Sequence, residues 1–333
     1  MKKYKNIINF VIILIITALV LYFSLKDDYQ NILNQIRNLP LIYILSSFCF
    51  VFLYYIFRSL SLHSIICMIE PNYSFKRTYE LVLITQFFNA ITPFSTGGQP
   101  FQIYHLKKDG IPITKGTNII MQNFIVYQIA LVILGIFALI YNSIFHIYKK
   151  IYILRHLVGL GFFINTLVIV FLFFIAFSEN FSNLMLKILE FILGKRKDKE
   201  ERLKKWNEYI ASFHEGAKVL MEDKSKFMMN IFYNILALSI LYLVPFFLLF
   251  GMGEVNINPT DVLVSSAYTM LIGAFVPIPG ATGGIEYGYI SFFGQFIKGP
   301  ILNASMLLWR GITYYVGLII GAITLALKKD VKE

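Results

Sequence analysis

Two short stretches carry most of the residue patterns in this chain that could do chemistry. The first reads Pro93-Phe94-Ser95-Thr96-Gly97-Gly98-Gln99 and the second Pro279-Gly280-Ala281-Thr282-Gly283-Gly284-Ile285, so that proline, threonine and both glycines fall at the same spacing. Proline with paired glycines interrupts a helix, and a helix that restarts after them presents backbone amides and the positive end of its dipole. Pro100 suits the first turn of such a helix. An anionic group such as a phosphate is favoured at that position. Glu286 follows the second glycine pair, and Arg310 stands about nine residues, or roughly 14 Å, into a later apolar run. Ionisable groups at such depth need a partner or water. Two readings stay open: a static Arg310–Glu286 ion pair, or an arginine that exchanges the glutamate for a substrate phosphate.

The first half is neutral and polar at the matching places. Gln99, Gln102 and Tyr104 follow its turn, and Gln122 and Asn123 lie in the next apolar run. Such groups suit hydrogen bonds to a headgroup or bonds between helices. The candidate substrate-binding set is Thr96, Gly97, Gly98, Gln99, Gln102, Tyr104, Thr282, Gly283, Gly284, Glu286 and Arg310. Arg58 and Glu80, near the ends of apolar runs, are read as snorkelling side chains. No catalytic residue is expected, because no Cys, His or Ser stands in an arrangement that pairs a nucleophile with a base, and no nucleotide-cradling loop occurs. No metal or other cofactor is expected either: Cys49 and Cys67 lie in or beside one apolar segment, and the five histidines are scattered.

The elements that must position these residues follow from composition. Apolar residues make up 57% of the 333 positions, only 15% are charged, and the mean hydropathy is +0.66, values that soluble domains rarely reach. Apolar runs cover Ile7 to Leu25, Leu41 to Phe57, Thr117 to Tyr141, Tyr152 to Phe177, Phe227 to Phe250 and Ile301 to Leu327. Each approaches the roughly 20 residues that cross a bilayer as a helix. Ile7 to Leu25 follows Lys2, Lys3 and Lys5 but is too long for a signal peptide and lacks a small-residue cleavage site, so it reads as an uncleaved first span. The net charge of +11 comes from cations at the ends of apolar runs, not interleaved with aromatic platforms, which excludes a nucleic-acid partner.

Two further apolar stretches, Tyr79 to Tyr104 and Asp261 to Phe296, hold the two motifs at their centres. Were Tyr79 to Tyr104 a single crossing, Lys107 and Lys108 would face outwards and every later loop would invert. A re-entrant hairpin that returns to its own side keeps Lys107, Lys108, the basic run Lys195 to Lys205 and the terminal Lys328, Lys329 and Lys332 in the cytoplasm. Lys149, Lys150 and Arg155 then oppose the rule in an outer loop. The expected fold is an all-α integral membrane protein, a single membrane domain of six transmembrane helices plus two re-entrant helical hairpins, both termini cytoplasmic. Its halves, 1–145 and 146–333, form an inverted-topology repeat. The polar segment 194–226 is read as a solvated basic loop in preference to an interfacial helix.

The stretch from Thr92 to Gly110, Thr-Pro-Phe-Ser-Thr-Gly-Gly-Gln-Pro-Phe-Gln-Ile-Tyr-His-Leu-Lys-Lys-Asp-Gly, resembles the bacterial flippase-like membrane domain, the transmembrane part of lysylphosphatidylglycerol synthetases of the multiple peptide resistance factor family. Pro277-Ile278-Pro279-Gly280-Ala281-Thr282-Gly283-Gly284-Ile285-Glu286 resembles the later motif of that family. The resemblance implies movement of aminoacylated phosphatidylglycerol between leaflets of the cell membrane, which lowers surface charge and protects against cationic antimicrobial peptides. It carries Gly97, Gly98, Gln99, Gly283, Gly284, Glu286 and Arg310 as matching positions. Full-length members continue into a soluble C-terminal aminoacyltransferase domain, whereas this sequence stops at Glu333. Any phosphatidylglycerol lysyltransferase activity is thus expected to need a separate lipid synthase chain. The expected function is translocation of a phospholipid, anionic or aminoacylated phosphatidylglycerol; the alternatives are a lipid-modifying protein and a secondary transporter of a small solute. The expected partners are membrane phospholipid, such a synthase and a second copy in a homodimer.

Overall fold

The computed structural model describes residues 29–148, 152–194, 199–273 and 276–327. The expected first span, Ile7 to Leu25, lies outside them, as do Lys149 and Lys150. Among the described residues every regular element is helical. In chain order they are α1 (Tyr29–Asn38), α2 (Leu41–Ile66), α3 (Phe75–Ile91), α4 (Gly98–Lys108), α5 (Ile113–Phe145), α6 (Tyr152–Phe177), α7 (Glu179–Leu193), α8 (Lys199–Glu222), α9 (Lys224–Tyr242), α10 (Val244–Gly251), α11 (Pro259–Gly273), α12 (Gly284–Phe293), α13 (Pro300–Arg310) and α14 (Val316–Leu327). Short 3₁₀ turns at Pro93–Ser95 and Pro279–Ala281 separate α3 from α4 and α11 from α12.

Five helical stretches are long and apolar enough to cross a membrane: Leu41–Ile66, Ile113–Phe145, Val158–Phe177, Lys224–Gly251 and Pro300–Leu327. Helices satisfy their own backbone groups, which hydrocarbon requires. Hydroxyls are hidden the same way: Ser59, Thr85, Thr269 and Thr313 each donate to the carbonyl four residues back, at 2.6 to 2.8 Å. On α6, Phe163, Leu167, Val170 and Phe174 are exposed at three- and four-residue spacing, forming a stripe that suits lipid tails. This is a multi-pass membrane protein.

The core is built on pairings of helices. Helix α2 lies along α9, α3 along α14, and α11 along α5. Polar residues join α2 to α9: Asn234 Nδ2 donates to Ser61 Oγ at 2.8 Å, and Asn230 Nδ2 to Ser64 Oγ at 3.1 Å. Such bonds hold helices together where burial supplies no drive between them. Gly321 lets α14 approach α3 closely, since a Cβ there would come within 2.5 Å of the Leu83 carbonyl oxygen. At the far end of α4, Tyr73 donates to Asp109 Oδ2 at 2.5 Å. Burial, followed by that bond, pushes the Tyr73 phenol well above its usual pKa and keeps it a neutral donor.

Three expectations are corrected in detail. The run Phe227 to Phe250 is two helices, α9 and α10, because Pro245 in the first turn of α10 has no amide to continue α9. The last run contains one π-helical turn, Gly311–Tyr315, between α13 and α14. The segment 194–226 is no plain solvated loop. Its described part forms α8, which packs on α5, α6 and α7 and buries Phe213, Ala217 and Leu220. Gln122 Nε2 reaches the Phe213 carbonyl at 3.5 Å, and Gly216 sits where a Cβ would strike Asn118. The high charge of this segment hid a small apolar face from sequence reasoning.

Replacing Gly321 by Val should separate α14 from α3 and lower stability by about 1–3 kcal/mol, the usual cost of overpacking. Gly159→Ala, where an added Cβ meets nothing within 4 Å, should leave the midpoint unchanged or raise it. Thermal unfolding in detergent checks both.

Candidate substrate cavity

The two turns face each other in the middle of the bundle and touch. Both take a backbone that ordinary residues avoid. Phe94 (φ 53°, ψ 18°) and Gly280 (φ 65°, ψ 9°) follow their prolines in the left-handed region, and the next residues, Ser95 (φ 54°) and Ala281 (φ 50°), share it. Two left-handed residues in succession reverse the chain within a single turn. The motifs diverge afterwards: Gly283 needs φ 92°, while Gly97 has φ −76°.

Behind the second turn lies a buried charge pair. Arg310 and Glu286 are 6% and 7% exposed, and Arg310 Nε donates to Glu286 Oε1 at 2.7 Å. Glu286 Oε2 accepts the Gly283 amide at 2.6 Å, capping α12. The arginine Nη2 donates to the Gly280 carbonyl at 3.0 Å and to Thr282 Oγ1 at 3.5 Å. Its guanidinium carbon lies 4.4 Å from the centre of the Tyr314 ring. The π-turn after Arg310 holds that tyrosine, whose hydroxyl donates to the Ala90 carbonyl of α3 at 3.0 Å. One arginine thus ties α13 to the second turn and, through Tyr314, to the end of α3.

A cavity of about 460 Å³ opens beside this junction, with walls from α2, α3, α4, α5, α6, α9, α11, α12, α13, α14 and both turns. Seven side-chain amides line it: Gln86, Asn89, Gln99, Gln102, Asn123, Gln128 and Asn165. Arg58 and Arg310 also line it, and among the described lining residues there is no carboxylate. The cavity thus carries seven amides and two arginines on walls that are otherwise largely apolar.

The candidate residues separate accordingly. Gln99, Gln102 and Arg310 line the cavity. Glu286 and Thr282 stand behind it as partners of Arg310. Gly284 gives close passage to Val276, whose Cγ2 would lie 2.2 Å from a Cβ. Thr96 is exposed and its hydroxyl donates to the Pro93 carbonyl. Tyr104 is 54% exposed, with Lys108 near its ring, and is not brought to the cavity. Several amides expected to be free are bonded: the Gly97 amide donates to Thr92 Oγ1 at 2.9 Å, the Gly98 amide to Asn89 Oδ1 at 3.0 Å, and the Gly283 amide to Glu286. These caps supply partners to amides that the broken helix ends leave without an intrahelical acceptor.

Sequence reasoning also passed over part of the site. Arg58 does not merely snorkel: it lines the cavity, donates to Asn234 Oδ1 and lies 4.3 Å over the Tyr127 ring. Asn89, Gln128 and Asn165 were not singled out, although amides inside apolar runs are a usable signal for a lined cavity. Asn123 reaches the cavity as expected of a polar span residue, whereas its neighbour Gln122 serves α8.

Residues 7–321 match the family model described as lysylphosphatidylglycerol synthase TM region. The chain is also similar to a UPF0104 membrane protein of Archaeoglobus fulgidus, 23% identical over 269 residues, a stretch that covers 75% of this chain and 76% of that one.

Truncating either member of the buried pair leaves an uncompensated charge. Arg310→Ala and Glu286→Ala should each lower stability by about 3–5 kcal/mol, and the double variant should lose clearly less than the sum. A double-mutant cycle from unfolding midpoints in detergent measures this; additive losses would show that the two side chains act independently.

Proposed function

The chain belongs to the lysylphosphatidylglycerol synthase transmembrane-region family, and from that membership and the cavity we propose that it translocates a phospholipid, anionic or aminoacylated phosphatidylglycerol, between leaflets of the cell membrane. The observation that carries the reading is the cationic, amide-lined cavity of about 460 Å³ between two helix-breaking turns. Its size falls in the range of small-molecule sites. A phosphorylated headgroup crossing hydrocarbon needs such an interior, with hydrogen-bond donors and positive charge and with apolar walls outside for its tails.

The broken helices act as two re-entrant hairpins, and the halves 1–145 and 146–333 are inverted repeats. Support comes from the shared proline, threonine and glycine spacing and from the matching left-handed residues at the tips. The packing supports it too. Helix α3 lies on α14 as α11 lies on α5, α4 packs on α5 as α12 does on α13, and α2 meets its counterpart α9. Each of these pairs is what a two-fold axis in the membrane plane would generate. Irregular backbone at membrane depth is tolerable beside a hydrated cavity, which agrees with tips that meet at one.

In this reading both termini are cytoplasmic, a separate synthase chain supplies any aminoacylated lipid, and Gln99, Gln102 and Arg310 face the headgroup as it passes. Glu286, Thr282 and the glycines Gly97, Gly98, Gly283 and Gly284 shape the turns that hold them. Gly280 lets the second turn lie against Tyr314, because a Cβ there would lie 2.4 Å from atoms of its ring and its φ of 65° suits glycine.

Purified protein in liposomes that carry headgroup-labelled phosphatidylglycerol should equilibrate the label between leaflets. Gly280→Val should slow this by about tenfold, because a branched residue disfavours the left-handed turn by roughly 1–2 kcal/mol and leaves only about a tenth of the protein in the competent form. Label sidedness identical to that of protein-free vesicles would overturn the reading.

A further inference from the structure

The two arginines of the cavity differ in how their donors are spent. Arg310 spends Nε on a carboxylate and Nη2 on a carbonyl and a hydroxyl, with an aromatic face against its guanidinium. Its charge is neutralised on the spot by Glu286. Arg58 is half-buried, and Asn234 takes a bond from Nη1 alone, with the Tyr127 ring against its guanidinium. A guanidinium carries five N–H donors in a fixed fork. The rest of that fork belongs to the cavity wall, where the described lining holds no carboxylate.

We propose that Arg58, and not Arg310, is the anion-binding residue of the cavity, and that it takes an organophosphate group through its unspent donors. The inference rests on the lipid-translocation reading for the source of that group and stands on its own for the chemistry. Arg58 is pre-set for the task. Asn234 Oδ1 fixes one edge of the fork, and Asn234 is itself held by Ser61, which in turn donates to Asn123 Oδ1 at 3.5 Å. The Tyr127 ring prevents the long side chain from swinging away. A planar fork held at one edge loses little freedom when a phosphate oxygen pair meets the other. The amides of Asn123 and Gln102 in the same wall can serve the remaining headgroup oxygens. An anion at Arg310 would share a cation already paired with the buried Glu286 carboxylate, which repels it, whereas Arg58 has no carboxylate among its described contacts.

Binding to purified protein in a neutral detergent tests the assignment with two probes, dihexanoyl phosphatidylglycerol and glycerol 3-phosphate. Wild type should bind the lipid, and Arg58→Gln should weaken that binding by about tenfold or more, the loss expected for hydrogen bonds to a charged group. Arg58→Lys should keep part of the affinity, and the melting temperature of each variant reports whether the fold is intact. Arg58-dependent binding of glycerol 3-phosphate without lipid binding would leave the anion site standing and remove its lipid source. Lipid binding that is equal in wild type and in a folded Arg58→Gln would overturn the Arg58 assignment and leave translocation intact. Failure of wild type to bind either probe would overturn the assignment outright.

Discussion

A guanidinium buried among helices in an apolar surrounding is costly unless each of its faces is answered, and the centre of this protein is arranged around meeting that demand. Arg310 is answered by Glu286, by the Gly280 carbonyl, by Thr282 and by the Tyr314 ring. None of these partners lies on its own helix α13. Glu286 begins α12, Gly280 and Thr282 belong to the preceding turn, and Tyr314 comes from the π-turn that follows. Satisfying one side chain therefore fixes the direction of α12, the shape of the turn and the onset of α14. Tyr314 extends the constraint to α3 through Ala90.

The rest of the interior can be understood as a second solution to the same problem. Broken helices expose amides that lipid cannot satisfy, and the chain covers them with its own side chains: Thr92 and Asn89 at the first turn, Glu286 at the second. Some of the remaining polar residues line one cavity, among them Asn89, Gln99, Gln102, Asn123 and Gln128, and others such as Asn230 and Asn234 bond between helices. The interior keeps an apolar core beside those walls, with Leu62, Leu81, Val126 and Phe293 fully buried, and the exposed flanks are apolar as well, which follows from lipid as the solvent.

Much of this was legible in the sequence, for identifiable reasons. Long apolar runs gave four described spanning helices within about four residues of their ends, whereas the helix begun at Leu41 runs to Ile66, nine residues past the expected Phe57. The helix breaks were visible because proline and glycine have a local effect that needs no tertiary context, and the Glu286–Arg310 partnership followed from the cost of isolated charge. What escaped depended on packing. The α9–α10 break rests on one proline inside an apolar run, and the docking of α8 on a few small residues, Ala217 and Gly216, within a charged helix. Arg58 looked like a boundary residue because its neighbours Asn234 and Tyr127 are 176 and 69 positions away in the chain. The capping of Gly97, Gly98 and Gly283 likewise depends on which side chains fold back, a matter of geometry and not of spacing.

The two turns are alike in backbone but not in bulk, for a phenylalanine occupies in one the place of a glycine in the other. Phe94 is 56% exposed and lines the cavity, whereas Gly280 presses its bare α-carbon against Tyr314. Under the proposed translocation, a headgroup in the cavity meets an aromatic side chain at the first turn and bare backbone backed by Tyr314 at the second. Unequal obstacles alter how fast traffic runs each way at a given loading, but without an energy supply they leave the resting distribution between the two faces where thermodynamics puts it.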